Sequence, residues 1–187
     1  MKKAAVIIPN YNGLKFLVPC INALYAQDTD DFIIRVVDNG SDDGSVEYLQ
    51  DHEDISSIFL DKNYGFCRAV NEGVKASEEP YVILLNNDTV PEKSFVSSLI
   101  KAIDGKKKVF SAASCMLAAN GDNVLDGAGD LYSALGWAFA RGKGRDASLY
   151  DRECRIFSAC AGAAVYQREL FIKLGLLDET HFAYLED

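Results

Sequence analysis

Four short polar clusters carry residue types that bind nucleotides and cations: Asn10, Tyr11 and Asn12; Asp38, Ser41, Asp42 and Asp43; Lys62, Asn63 and Gly65; and Asn86, Asn87 and Asp88. Carboxylates hold divalent cations or accept hydrogen bonds from a base or ribose, amides and hydroxyls bond sugar and phosphate, and a tyrosine ring stacks on or packs around a base. The last cluster is the sharpest. In Tyr-Val-Ile-Leu-Leu-Asn-Asn-Asp-Thr-Val-Pro, residues 81–91, a continuous apolar run stops at two amides and a carboxylate. Such a run, without alternation, fits a parallel strand covered on both faces, and ligands of such sheets gather at the strands' carboxyl ends. Taken alone, Asp88 reads equally as a turn or cap residue and as a metal ligand. Thr89 and Glu92 have capping-box spacing, with Pro91 in the first turn, so a helix is expected directly after Asp88. Phe95, Val96, Leu99, Ile100 and Ile103 continue at helical spacing.

The elements that must position these clusters follow from periodicity. Strands are expected at residues 4–8, 32–37, 57–60 and 81–85, the first ending at Pro9 because the cluster 9–13 is unable to extend a strand or a helix. Helical stripes follow three of them: Leu14, Leu17, Ile21 and Leu24; a short helix over 45–50; and Phe66, Val70 and Val74. The first half is thus β-α repeated, with every polar cluster at the same relative place. Asp42 and Asp43 precede a helix and read first as its caps, whereas Asp38 directly follows a strand and is the better ligand contact. Gly65 reads first as a backbone turn before a helix. The second half is less regular: a strand over 109–116, a Gly- and Asp-rich stretch over 117–145 expected to be a hairpin or flap, a strand over 157–166 broken by Gly162, and a helix over 168–174 ended by Gly175. Tyr132, Trp137 and Phe139 in that stretch read first as core or flap packing, and second as the lining of an acceptor groove.

At 187 residues and 49% hydrophobic, the chain suits one domain with a sizeable core. A net charge of -9 argues against a nucleic-acid surface and leaves small anionic substrates that arrive with a cation. Cys20, Cys67, Cys115, Cys154 and Cys160 form no C-x-x-C, so neither a disulfide framework nor a zinc site is indicated and a reducing cytoplasm fits. No segment has the length of a signal-peptide core or a membrane span. Neither G-x-G-x-x-G nor G-x-x-x-x-G-K-[ST] occurs, which disfavours dinucleotide folds and phosphate-loop NTPases. Sugar nucleotidyltransferases normally open with a Gly-rich basic loop, which residues 9–13 are not.

The ordered set of motifs resembles the family-2 glycosyltransferases of the GT-A fold, over essentially the whole chain. Val6-Ile7-Ile8-Pro9-Asn10-Tyr11-Asn12-Gly13 is similar to the family's opening strand and loop, and Val36-Val37-Asp38-Asn39-Gly40-Ser41-Asp42-Asp43-Gly44-Ser45 to its second. Asn63-Tyr64-Gly65-Phe66 through Asn71-Glu72-Gly73 follow as its third. Leu84-Leu85-Asn86-Asn87-Asp88 stands at the D-x-D position, Ala161-Gly162-Ala163 on the acceptor-side strand, and residues 177–187 match the acidic ending. The resemblance implies a Rossmann-like αβα sandwich with a mainly parallel central sheet. Its nucleotide-binding half is expected over 1–105 and its acceptor half over 106–187, the latter truncated at the C-terminus. It implies nucleotide-sugar contacts by Pro9, Tyr11, Asn12, Asp38, Ser41, Asn63, Gly65, Asn86 and Asn87, with Gly162 on the acceptor side. It also implies that Asp88 holds Mg²⁺ or Mn²⁺ on the diphosphate and that Asp187 is the general base, with Glu186 orienting it. The first acid of D-x-D is Asn86 here, as in a rhamnosyltransferase-like subgroup, which leaves one carboxylate where the family often has two.

The expected activity is therefore inverting transfer of a sugar from a nucleotide-diphosphate donor to a glycan or lipid-linked acceptor hydroxyl, in polysaccharide or glycoconjugate synthesis. Its expected setting is the cytoplasm or the inner face of the membrane. The alternatives are a non-catalytic nucleotide-sugar binding module and a sugar nucleotidyltransferase.

Overall fold

The computed structural model describes residues 2–119 and 122–182. The first part alternates strand and helix: β1 (Ala4–Asn10), α1 (Leu14–Tyr25), β2 (Phe32–Asp38), α2 (Ser45–Gln50), β3 (Ser56–Phe59), α3 (Phe66–Lys75), β4 (Tyr81–Leu85) and α4 (Phe95–Ile103). Short strands follow: β5 (Ser111–Ala113), β6 (Met116–Leu117), β7 (Leu125–Gly127), β8 (Asp130–Tyr132) and β9 (Ala138–Ala140). A 3-10 turn (Ala147–Tyr150), β10 (Ala163–Gln167) and α5 (Arg168–Leu174) complete the order.

The central sheet runs β3-β2-β1-β4-β10-β5, parallel from β3 to β4 and antiparallel on both sides of β10. Because strand side chains alternate, β1 feeds two cores. Ala4, Val6 and Ile8 pack with Leu17, Ile21 and Leu24 of α1, Leu49 of α2 and Val96 to Ile103 of α4. Ala5 and Ile7 pack on the other face with Val70 and Val74 of α3 and Phe171 of α5. Each fully buried aliphatic side chain stabilises by about 1.5–3 kcal/mol, so the doubly covered strands anchor the fold. This is the expected αβα sandwich with a mainly parallel sheet. Among the described residues, no helix is long and apolar enough to cross a membrane.

Several local expectations are corrected. β1 does not stop at Pro9 but runs through it to Asn10, with Pro9 in register with Val37. The β1–β4 ladder ends at Ile7 opposite Leu84, so no donor is required of Pro9 on that side. No helix follows Asp88 directly; α4 begins at Phe95. The Thr89 hydroxyl instead donates back to the Asn86 carbonyl at 2.7 Å, as threonines in turns do. Gln27, just past α1, takes over the capping role: its Oε1 accepts the Val96 N–H at 2.9 Å and its Nε2 donates to the Glu92 carbonyl at 2.9 Å. The strand expected over 109–116 is two short pieces, β5 and β6, and in the one expected over 157–166 Ser158 makes an isolated bridge to Asp130 while continuous pairing begins at Ala163. The Gly- and Asp-rich stretch forms two antiparallel ladders, β6–β7 and β8–β9, in agreement with a hairpin. Gly175 ends α5 in the left-handed region at φ 105°.

Candidate functional site

The carboxyl ends of β1, β2 and β4, with the turn after β3, bring the four polar corners to one edge. Asn10, 1% exposed, joins three of them. Its Nδ2 donates to Asp38 Oδ2 at 2.9 Å and to Ser41 Oγ at 3.4 Å, and its Oδ1 accepts from Asn87 Nδ2 at 2.8 Å. Gly13 is required beside that link, because a Cβ there would fall 2.2 Å from Asn87 Nδ2 and 2.8 Å from Asn10 Oδ1. Asp38 is 0% exposed, and its Oδ1 accepts the Ser41 N–H at 2.8 Å. Ser41 Oγ accepts the Asn12 N–H at 2.9 Å, and Asn12 Oδ1 accepts the Asp42 N–H at 2.8 Å. A buried carboxylate is tolerated when hydrogen bonds replace its lost hydration, and here both oxygens are engaged. Asp38 thus organises the edge from within. Tyr11, 49% exposed, is its accessible ring.

Asp43 behaves as the cap its position suggested. Its Oδ1 accepts the Ser45 hydroxyl at 2.6 Å and the Ser45 N–H at 3.1 Å, while Oδ2 accepts the N–H of Leu14, first residue of α1. Partial desolvation works against ionisation, but these hydrogen bonds outweigh it and hold the carboxyl below the usual aspartate range. One side chain therefore fixes the starts of two helices beside the first and second corners.

At the fourth corner both backbone groups of Asn86 are engaged, whereas the Asp88 side chain makes no hydrogen bond or ion pair among the described residues. Asn86 N–H donates to the Gly162 carbonyl at 2.9 Å, which places that glycine directly beside the corner. A Cβ on Gly162 would lie 3.4 Å from Asn86 Nδ2 and 3.5 Å from both Cys160 Sγ and Met116 Cε. Beneath, Cys20 Sγ donates to the Asn86 carbonyl at 3.8 Å, and burial pushes this thiol up to about 12, which keeps it neutral and structural. Asp88 is exposed and makes no hydrogen bond or ion pair among the described residues. No cluster of three or more His, Cys, Asp or Glu suited to a metal occurs among them either. The donor set therefore fits a hard cation held by one carboxylate, with the remaining ligands from diphosphate and water.

The third corner is tied to the second through Asn39. Asn39 Nδ2 donates to Asn63 Oδ1 and to the Gly65 carbonyl, both at 3.0 Å, and Oδ1 accepts the Tyr64 N–H at 2.9 Å. Asn63 Oδ1 also accepts the Gly65 N–H at 2.9 Å. Gly65 takes φ 90°, and a Cβ there would sit 2.6 Å from the Phe182 carbonyl, so this glycine is a turn and a close-approach point in agreement with the bland expectation. Lys62 and Arg68 flank the Tyr64 ring at 5.0 and 4.4 Å, giving this edge local cations within an acidic chain.

Asn39 and Asn10 are the structural centres of the edge; the sequence puts Asn10 in the first polar cluster, but neither residue is among the expected nucleotide-sugar contacts. The one available signal is their place at the strand ends. Tyr132, Trp137 and Phe139 are 55%, 73% and 52% exposed, which overturns core packing; Tyr132 instead stacks on Phe157 with centroids 5.4 Å apart. Glu186 and Asp187 lie outside the described residues.

Comparison with known proteins gives four findings. A family model described as "Glycosyl transferase family 2" matches residues 5–175. The teichoic acid poly(glycerol phosphate) polymerase of Staphylococcus epidermidis is 32% identical over 93 residues, 47% of this chain and 13% of that protein. Residues 1–349 of S. aureus TarS superpose with a TM-score of 0.71 at 19% identity, covering 98% of this chain and 52% of the other, and that protein has also been solved with UDP-GlcNAc. A mannosyltransferase from Pyrobaculum calidifontis, solved with GDP-Man and Mn²⁺, gives 0.66 at 17% identity, covering 95% and 48%. The matched segments span 13%, 35% and 28% of the first curated relatives, and about half of these solved chains.

Proposed function

We propose, since the chain belongs to glycosyl transferase family 2, that it binds a nucleoside-diphosphate sugar along the four-corner edge and transfers the sugar, with inversion, to an acceptor hydroxyl. The observation that carries this reading is the single hydrogen-bonded edge that leaves Asp88 free at its rim. One relative named as a teichoic acid poly(glycerol phosphate) polymerase and another as a putative teichuronic acid biosynthesis glycosyltransferase support a product of the cell-surface polymer class.

In this reading Tyr11 offers its ring to the base, and Asn12, Ser41 and Asn63 line the nucleoside. Asp38 reaches the base only if the Asn10 and Ser41 links yield on binding, because its carboxylate has no exposed surface. Asn86 and Asn87 face the ribose and phosphates, and Gly162 leaves room for the acceptor beside Asn86. A divalent cation, Mg²⁺ or Mn²⁺, held by Asp88 would supply charge neutralisation of the leaving diphosphate. Asp187 takes the acceptor proton, a role that typically contributes about 10²- to 10⁴-fold, and Glu186 orients it.

A thermal-shift panel of uridine, thymidine and guanosine diphosphate sugars, with and without Mn²⁺, tests the reading. A ligand at about 100 times its Kd adds roughly 2.7 kcal/mol of stability. The expected result is a Mn²⁺-dependent shift with at least one sugar nucleotide, lost in Asp88→Ala, whose transfer rate also falls about 100-fold or more. Absence of any such shift sinks the proposal.

A further inference from the structure

The β8–β9 hairpin carries exposed apolar side chains on both faces and at its tip. In its ladder Leu131 lies opposite Phe139, and Tyr132 opposite Ala138, so alternation puts Leu131 and Phe139 on one face and Tyr132 on the other. Tyr132 stacks on Phe157, which is held beside β8 because the Phe157 N–H donates to the Asp130 carbonyl and the Asp130 N–H to the Ser158 carbonyl. Leu135 and Trp137 occupy the joining turn. All six of these side chains are exposed. The turn satisfies much of its own backbone: Ser133 N–H donates to the Trp137 carbonyl at 2.8 Å, Gly136 N–H to the Ser133 carbonyl at 3.0 Å, and Trp137 N–H to Ser133 Oγ at 3.1 Å. Polar groups paired in this way cost less to remove from water.

Behind the apolar residues come Arg141, Lys143 and Arg145, and residues 131–145 contain no Asp or Glu, in a chain of net charge -9. Arg141 lies over the Tyr150 ring at 4.7 Å, Lys143 is 2.9 Å from Asp126, and Asp146 is occupied by Ser148 and Asn123. On the neighbouring loop Arg152 and Arg155 balance Asp151 and Glu153. At about 3.4 Å per residue, Arg141 is roughly 14 Å along the strand from Trp137. Amphipathic elements sink about 5–10 Å into a bilayer interface, a depth that leaves these cations at its anionic surface. A flat protein surface would cover one face of the hairpin and leave the other wet, and a second copy would set the cations against themselves. We propose that the hairpin is a membrane-docking tip: Leu135 and Trp137 enter the interface of an anionic bilayer, and Arg141, Lys143 and Arg145 meet the lipid phosphates. Tryptophan and tyrosine suit that interface because each has an apolar body and a polar edge.

Trp137 is the single tryptophan of the chain, so its emission reports this contact directly. The full chain is titrated with vesicles of mixed phosphatidylglycerol and phosphatidylcholine, and with vesicles of phosphatidylcholine alone, and bound protein is measured by sedimentation. Each cation near an anionic surface favours binding by about fivefold. The expected result is binding at least about tenfold stronger to the anionic vesicles, with Trp137 emission shifted to the blue and quenched by lipids brominated on their acyl chains. Leu135→Ser with Trp137→Ser, and separately Lys143→Ala with Arg145→Ala, are each expected to weaken sedimentation with anionic vesicles by about tenfold or more. Leu135 and Trp137 belong to neither buried core, so their loss leaves the fold in place. Equal binding to both vesicle types, or binding with Trp137 emission unchanged, overturns the proposal. So does emission already blue without vesicles: with concentration-dependent dimers in sedimentation velocity it assigns the face to a second copy, and with monomers to the chain itself. Vesicle binding needs no sugar nucleotide, so every outcome leaves the transferase reading where it stands.

Discussion

The region from β1 to α4 and the excursion between β5 and β10 place opposite kinds of side chain where chemistry does not expect them. The first buries polar groups: Asn10, Asp38, Asn39 and Ser45 are between 0% and 4% exposed, all linked at the carboxyl ends of parallel strands. The second exposes apolar ones, with Leu135 and Trp137 at 86% and 73% around the β8–β9 hairpin. Buried amides joined donor to acceptor define one geometry, because each broken link strands a desolvated group. A two-stranded ladder with exposed aromatics has no comparable constraint from this chain alone. The four-corner edge is therefore preorganised, and the excursion meets it at the Asn86–Gly162 hydrogen bond. In a binding reaction the preorganised side gives affinity without an ordering penalty.

The largest effect that could break this contrast is at Asn10. Asn10→Ala removes the donor to Asp38 Oδ2 and the acceptor for Asn87 in one step, leaving a buried carboxylate short of a partner. Hydrogen bonds to charged groups contribute about 1.5–3 kcal/mol each, so a loss of roughly 3 kcal/mol is expected in urea unfolding. A loss below about 1 kcal/mol would mean that the network tolerates alternatives and that the edge is not fixed in the way described.

A smaller effect, with a defined pH signature, belongs to Asp43. Its folded carboxyl is held below the usual range, so its contribution to stability is complete above the unfolded value of about 3.9 and is lost as pH falls through the lower folded value. Asp43→Asn is accordingly expected to be less stable than wild type at neutral pH, with the gap constant above about pH 5 and closing below about pH 4. Denaturant melts of both proteins across that range measure it. A gap that persists undiminished at pH 3 would assign the effect to lost geometry instead of charge.

The same contrast decides what could be read from sequence. The parallel strands and the four corners were legible because uninterrupted runs such as Val82 to Leu85 and the turn formers after them are local signals. The cap on α4 was not. Thr89 and Glu92 have the right spacing, but the Val96 N–H is satisfied by Gln27, 69 residues earlier, and no local pattern announces such a partner. Likewise Asp38 was legible as special from its place at a strand end, while its burial under Asn10 depends on the pairing of β1 with β2. The strand around Gly162 is shorter than its composition suggests because its ladder partners, β4 and β5, lie far apart in the chain and meet it from Ala163 onward, with Ser158 bridged separately to Asp130. For Tyr132, Trp137 and Phe139, expected as core or flap packing, the core half fails because apolar composition alone does not say whether anything covers it.

The smallest expected effect is the one that sharpens the contrast most. Leu135→Ser and Trp137→Ser remove apolar groups that already face solvent, and neither Leu135 nor Trp137 joins either buried core. Surface substitutions of this kind change stability by about ±0.5 kcal/mol or less, so urea unfolding of either variant is expected to overlay that of wild type. Trp137 N–H does accept a role in the turn, donating to Ser133 Oγ at 3.1 Å, but that donor is backbone and survives the change. If instead the variants lose 2 kcal/mol or so, the hairpin is packed in solution by residues of the chain that are not seen against it here, and the division into a preorganised edge and an open excursion fails. If they overlay, the exposed apolar groups around β8 and β9 answer to something other than the folding of this chain.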